Sequence, residues 1–503
     1  MESSIITITS LYNSYKNSPN IISKLNNYIN VNLPILLKKY DEEEKKQSFL
    51  EIESNRYIND FLTSPDRQYF YISATDIFIE YKGEHYTHIN EDDLWMLILS
   101  DITKNDILVE NKQKIKNTII QKIKENDIKN TIPESYTVQY VINFFTPTLF
   151  DTKEDVKHLM AIIGDNVLNK QTDLYYFVPI ESKPFFDTLE TMCQYYFRSK
   201  LNITSSIRYR YRNEDYSKSR IIYFTKSIKN KSCWLSFLKD NLFNLLVVSC
   251  HYSTRYINAD SYVNKRNTNF KKKIFYLKNN TKDKLIDEFI ENMIIKETNC
   301  KISFNDMYFL WKIYLKNRNI PNTVLKTEFE EIIKSKLENI NNIFKNCQSN
   351  FLANVKIFKK FWSETIQRDF SNEIEISELH TLMIKWISDN NKSSNNFSEE
   401  NLQDMIEYFY DDIGIGNDKF LLGIKCNLWD KLGDMKEAFD NKFNKKFDKN
   451  LKIYDAYVMY CKYANNNGKL LTVSKSYFYN FLENIVSSNF IENGCILQSY
   501  WDN

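Results

Sequence analysis

Apolar residues recur at helical spacing along most of the chain. Ile21, Ile22, Leu25, Ile29, Leu33 and Leu36 place residues 1–62 in helices, and the mixed-sign run Asp41 to Lys46 reads as a solvated stretch. Between Tyr69 and Ile89 the period drops to two. Tyr69, Tyr71, Ile77, Ile79 and Tyr81 alternate with other residues, and Lys82-Gly83 precedes a second alternating run, which predicts a β-hairpin. Helical spacing resumes at Glu91. Thr152 opens an amphipathic helix carrying Val156, Leu159, Met160 and Ile163, with Glu154 in its first turn. Leu174 to Val178 is a short strand, and Pro184 starts a further helix. Leu285, Phe289, Met293 and Ile294 then share one helical face.

After residue 300 the pattern repeats. The first copy has an aromatic helix (Phe304, Tyr308, Trp311, Leu315), a polar loop, and a second helix with Leu325, Phe329 and Ile332. The second copy has Leu379, Leu382, Met383, Trp386 and Ile387, then an Asn/Ser loop. Ser398 follows as an N-cap, before Leu402, Met405, Ile406 and Phe409. The third has Tyr454, Tyr457, Val458 and Cys461, an Asn/Gly loop, then Ser474, Phe478, Phe481 and Leu482. Two amphipathic helices joined by a polar loop build helix-turn-helix and winged-helix domains, and equally ordinary helical bundles. In the third copy alone, Phe490 to Ile496 reads as a hairpin wing, with Asn493-Gly494 suited to a type I′ turn. The expected fold class is therefore mainly α with an α+β N-terminal half, in several domains. These are a helical segment 1–62, an α+β domain 63–200, a segment 201–280 and a helical repeat-like region 281–503.

Composition narrows the classes of function. A chain of 503 residues exceeds one compact core. Eight Gly and eight Pro leave little material for Gly-lined ligand loops. No basic n-region with an apolar h-region opens the chain, and the longest apolar run, Leu242 to Cys250, is half a membrane span. The eight cysteines are scattered singly, which suits reduced thiols in an intracellular, soluble protein without membrane contact.

Catalytic and metal motifs do not form. There is no GxxxxGK[ST], so no P-loop, and no GxSxG. Gly414-Ile415-Gly416 reads as a turn between helices. His85 and His88 would face opposite sides of a strand, a poor arrangement for one metal. Cys250-His251 is an adjacency without triad geometry. Phe409-Tyr410-Asp411-Asp412 resembles a polymerase metal turn, but closes an acidic helix rather than a hairpin. No enzyme, cofactor or metal site is expected.

One segment stands apart. Residues 201–280 hold sixteen Lys+Arg against four Asp+Glu, a difference of +12, whereas the whole chain balances 67 against 65. Seven of the eleven arginines lie between Arg198 and Arg266. Guanidinium offers a planar donor fork and stacks on aromatic rings, which suits phosphates and bases. In an extended Arg208-Tyr209-Arg210-Tyr211-Arg212 the arginines share one face and the tyrosines the other. The predicted nucleic-acid-binding residues are Arg208, Arg210, Arg212, Lys218, Arg220, Arg255, Lys265, Arg266, Lys271, Lys272 and Lys273. The same charge could instead dock the acidic remainder of the chain, a protein partner or an anionic membrane.

Ile132-Pro133-Glu134-Ser135-Tyr136-Thr137-Val138-Gln139, with Phe150-Asp151-Thr152-Lys153 and Ile163-Gly164-Asp165-Asn166, resembles an uncharacterised family of giant nucleocytoplasmic DNA viruses. Tyr460-Cys461-Lys462-Tyr463 and Val473-Ser474-Lys475 are similar to accessory helical modules of viral primase-helicases. The first similarity spans residues 65–270; the second covers short patches after 300. The resemblance implies a virus factory in the host cytoplasm or a virion interior, and transfers no catalytic residue. The expected function is a non-enzymatic, nucleic-acid-associated viral protein, with viral proteins as further partners. The alternative is a scaffold that touches no nucleic acid.

Overall fold

The computed structural model describes residues 2–501 except 171, 199–201, 391–396, 417–418, 444–446, 448 and 487–489, and describes the backbone alone at Ser371 and Asn484. The chain is mainly helical with five small sheets among the described residues. It forms two compact units: Met1–Leu285 with Leu315–Phe329, and Ile286–Tyr314 with Glu330–Asn503.

The first unit opens with α1 (Glu2–Ser14) and α2 (Pro19–Asn27), then a π-helical turn and α3 (Leu33–Leu62). In these helices no described side chain is buried before Leu50. The expected hairpin is a three-stranded antiparallel meander: β1 (Gln68–Ile72), β2 (Ile77–Tyr81) and β3 (Tyr86–Ile89). Gly83 makes the second turn possible at φ +82°. Both faces of the meander are covered. Tyr69, Tyr71 and Phe78 pack on α4 (Glu91–Ile102) and α5 (Lys112–Lys124), while Phe70, Ile72, Ile79 and Tyr81 enter the main core.

That core is built on α6 (Ser135–Phe145), α7 (Lys153–Val167), α8 (Lys183–Phe197) and α9 (Leu235–Tyr256). Thr152 caps α7, accepting from the Asp155 amide, as the sequence predicts. The α7–α9 crossing is close: a Cβ on Gly164 would lie 2.1 Å from the Ser249 carbonyl oxygen, so only glycine fits there. Beside it, β4 (Tyr175–Phe177) is flanked by β5 (Ile207–Arg208) and β6 (Ser219–Ile221), both parallel to it. Two short helices follow, α10 (Ala259–Asn264) and α11 (Thr268–Ile274), and α12 (Lys282–Met293) leads into the second unit.

From α12 to the end of the chain one order of elements recurs three times after a leading helix. After α12 come β7 (Ile295–Ser303), α13 (Phe304–Asn317), α14 (Lys326–Lys336), β8 (Asn339–Ile340) and β9 (Ile343–Gln348). After α15 (Phe351–Thr365) come β10 (Ile366–Glu375), α16 (Ile376–Asp389), α17 (Glu399–Phe409), β11 (Ile415–Gly416) and β12 (Phe420–Cys426). After α18 (Lys431–Lys442) come β13 (Leu451–Lys452), α19 (Ile453–Asn466), α20 (Lys475–Ile485), β14 (Ile491–Glu492) and β15 (Cys495–Ile496). The paired helices measure 14 and 11 residues in every copy. Each sheet is antiparallel, with its third strand in the middle: β7-β9-β8, β10-β12-β11 and β13-β15-β14.

Two expectations change here. A closing hairpin belongs to all three copies, not to the third alone. In the first copy Asn341 and Asn342 turn it with φ of 49° and 62°, and in the third Asn493 and Gly494 with 50° and 73°. Gly414-Ile415-Gly416, expected as a turn between helices, supplies β11. The tryptophans behave as core residues: Trp311 is fully buried against Phe289, and Trp386 is buried against Phe361.

Candidate nucleic-acid interface

The arginine-rich segment does not form the expected face. The chain is extended only at Ile207–Arg208 and then bends away. Tyr211 is buried with its ring 6.1 Å from Phe177, and Tyr209 packs on Phe186. Burial raises the Tyr209 hydroxyl above its ordinary range. The tyrosines are thus the inner side of the segment. Arg208 turns back on its own neighbourhood. It donates to the Ser205 and Ile207 carbonyls at 2.8 Å each, lies 3.5 Å from Glu214, and covers the Tyr175 ring. Arg210 and Arg212 are exposed.

Arg220 is a correction. It is 2 % exposed, its Nε and Nη2 meet the two Asp260 carboxylate oxygens at 2.9 and 2.7 Å, and it donates to the Ser217 and Ser219 carbonyls. Every face of this guanidinium is engaged, so it ties β6 to α10 and offers nothing to a ligand. Lys273 is held 2.9 Å from Asp155 and over Tyr223. Arg266 lies 4.0 Å from Glu154, donates to the Tyr256 hydroxyl and covers Tyr262. Lys271 is half-buried on α11, and Lys218 makes an exposed pair with Asp173 at 3.3 Å, a contact worth little. Arg255 and Lys265 flank Tyr256 at 5.6 and 5.4 Å and face solvent, as does Lys272. The outward set is Arg210, Arg212, Lys218, Arg255, Lys265 and Lys272.

Behind the inward set lies a buried group that the sequence does not signal. His158 and Tyr176 are fully buried with rings 6.0 Å apart, and His158 Nε2 and the Tyr176 hydroxyl have no hydrogen-bond partner. Burial lowers His158 to about 4, opposed by Asp260 and Asp155 and reinforced by Arg220 and Lys273. The Cys250 thiol is pushed up to about 12 by burial, which suits a core side chain rather than a nucleophile. His85 is hydrogen-bonded to Asn244 at 2.9 Å while His88 is exposed. Among the described residues no three His, Cys, Asp or Glu side chains gather to hold a metal, and no helix is long and apolar enough to cross a membrane.

The second unit locks its copies together. The Tyr408 hydroxyl of α17 donates to Asn305 of α13, Phe309 packs on Phe409, and Lys359 of α15 meets Asp306 at 2.7 Å. Lys431, which opens α18, reaches Glu378 of α16 at 2.5 Å and the Glu373 carbonyl at 3.1 Å. Asp412, which ends the Phe409–Asp412 stretch resembling a polymerase metal turn, is paired with Arg368. In the third copy Tyr457 and Cys461 of α19 pack against the core as expected, but the centre of the buried face lies one position round the helix. Ile453, Ala456, Tyr460, Tyr463 and Ala464 are buried, whereas Tyr454 points out. No family model, curated protein or solved structure matches the chain.

Proposed function

We propose that this chain is a non-enzymatic nucleic-acid-associated protein in which an α+β unit precedes three winged-helix modules. The observation that carries this reading is the threefold recurrence of helix, strand, helix, helix and hairpin, with the last strand central and the paired helices constant in length. In that order the second helix of each pair runs directly into the hairpin, as a duplex-reading helix runs into its wing. The outward residues Arg210, Arg212, Lys218, Arg255, Lys265 and Lys272 add phosphate contacts from the first unit. The setting we propose is replication, transcription or genome packaging in a large DNA virus, at the virus factory or within the virion. Its support is the resemblance of residues 132–166.

A scaffold role is favoured by one observation: α17 is acidic and part of its surface is spent on α13. Fluorescence anisotropy of the full chain with labelled single- and double-stranded oligonucleotides across a salt series separates the two. Nucleic-acid association predicts affinity falling with salt, by a log-log slope of about 0.9 per phosphate on duplex DNA. Undetectable binding at low salt overturns it in favour of the scaffold.

A further inference from the structure

One topology, used three times, presents three chemically different second helices. α17 carries Glu399, Glu400, Asp404 and Glu407 without a base, and its last turn lies on α13. A polyanion is repelled there. α14 interleaves Lys326, Glu328, Glu330, Glu331, Lys334 and Lys336; Glu330 holds Lys334 at 2.5 Å and Asp287 holds Lys336 at 2.8 Å. α20 opens on Lys475 as α14 opens on Lys326, but it differs from both in that no carboxylate follows before Glu483.

Around Lys475 the surface is aromatic and cationic. Its Nζ lies 5.0 Å from the centre of the Tyr454 ring and 5.3 Å from that of Tyr479, one turn further along the same face. Tyr454 is 57 % exposed, and among the described residues no carboxylate pairs with Lys475. The surrounding sequence is basic, with eight Lys against two Asp in residues 441–475. One of these, Lys469, is committed to Asp434 and Glu437 at 2.9 and 2.8 Å. On the other flank of the α20 N-terminus, Glu375 and Glu378 line a polar cleft with Ser474, and Lys431 meets Glu378.

We propose that, of the three copies, the third alone docks duplex DNA, through the Tyr454, Lys475 and Tyr479 face, while the first two space and hold it. This rests on the nucleic-acid reading above. An 11-residue helix is about 16 Å long, and the major groove, about 12 Å wide, admits one. The ammonium of Lys475 supplies the phosphate contact. The tyrosine hydroxyls donate to phosphate oxygens while their rings lie against the sugars.

The test is anisotropy of the full chain with a labelled duplex from 50 to 300 mM salt, on the order of the range where phosphate contacts dominate. Lys475→Ala should lower the salt slope by about 0.9, one phosphate contact. It should leave the thermal melt unchanged, because alanine is a good helix former at an exposed position. Lys475→Arg should restore the slope. Adding Tyr454→Ala and Tyr479→Ala should weaken binding at least tenfold, about 1.4 kcal/mol. Glu399→Lys at the equivalent position of α17 should not tighten it. If the intact chain binds duplex and Lys475→Ala retains the full slope, this inference fails while the nucleic-acid reading survives. If single strands bind as tightly as duplex with the same losses, the commitment to duplex DNA fails. If the intact chain binds nothing at low salt, both fall.

Discussion

Residues 201–280 and residues 441–475 both carry an excess of basic charge interleaved with tyrosine, and within each some cations are drawn onto acids while others face solvent. In the first, Arg208, Arg220, Arg266 and Lys273 turn inward onto Glu214, Asp260, Glu154 and Asp155. In the second, Lys475 stands between two tyrosine rings with no carboxylate partner among the described residues. The difference lies in the acids within reach. Asp155, buried in the first turn of α7, and Asp260, half-buried in the first turn of α10, each take a cation from the basic segment. Near α20, Glu378 is held by Lys431, and Asp434 and Glu437 by Lys469, and Lys475 stays outside these pairs. Net charge along a sequence therefore measures the supply of cations; the local count of unpaired acids decides how many face solvent.

The largest expected effect breaks the inward side of this contrast. Arg220→Ala strands the Asp260 carboxylate and should cost about 3–5 kcal/mol of stability, read as a lower urea midpoint. A midpoint within error of the parent would show the pair to be dispensable. The next effect lies one layer deeper. An unfolded histidine takes its proton near 6.5, whereas His158 in the fold resists it until about 4. Between those values the unfolded chain binds the extra proton, so the fold loses stability as pH drops through this window, by up to about 3 kcal/mol. His158→Phe keeps the ring beside Tyr176, Tyr262 and Phe270 and should flatten that portion of the urea midpoint's pH dependence. An unchanged acid limb would place its origin elsewhere. The smallest effect is on the surface. Replacing Arg210 and Arg212 together by Ala should leave the urea midpoint unchanged and reduce the DNA salt slope by no more than about 2. A large loss of stability would mean that these arginines, too, are structural.

Much of this architecture is legible in local signals. The period of two from Tyr69 to Tyr81, the caps at Thr152, Ser398 and Ser474, and the aromatic faces of α13 and α16 each mark an element that forms. The strands β7 and β10 do not announce themselves. Their sequences, IKETNCKIS and IQRDFSNEIE, are polar, β7 buries only Ile302, and both ladders shift register partway. The hairpin of the first copy turns on Asn341-Asn342, a weaker cue than the Asn-Gly of the third, though the flanking Ile340 and Ile343 were available to read. Which face of α19 enters the core was ambiguous because both are apolar, and the choice fell to Ile453, Ala456 and Tyr460. Arg208 turns onto Glu214 close by in the chain, but the directions of Arg220 and Lys273 lie beyond local reading. Arg220 and Lys273 find acids 40 and 118 residues away, and only the tertiary fold brings them together.

The contrast itself is tested most directly by measuring Arg220→Lys and Lys475→Ala in parallel, each by urea denaturation and by the salt dependence of duplex binding. Arg220→Lys keeps its charge but loses the two-pronged contact with Asp260, so its midpoint should fall while its salt slope stays that of the parent. Lys475→Ala should do the reverse, with an unchanged midpoint and a slope lower by about 0.9. A lowered slope for Arg220→Lys, or a lowered midpoint with an intact slope for Lys475→Ala, would contradict the division of inward and outward charge.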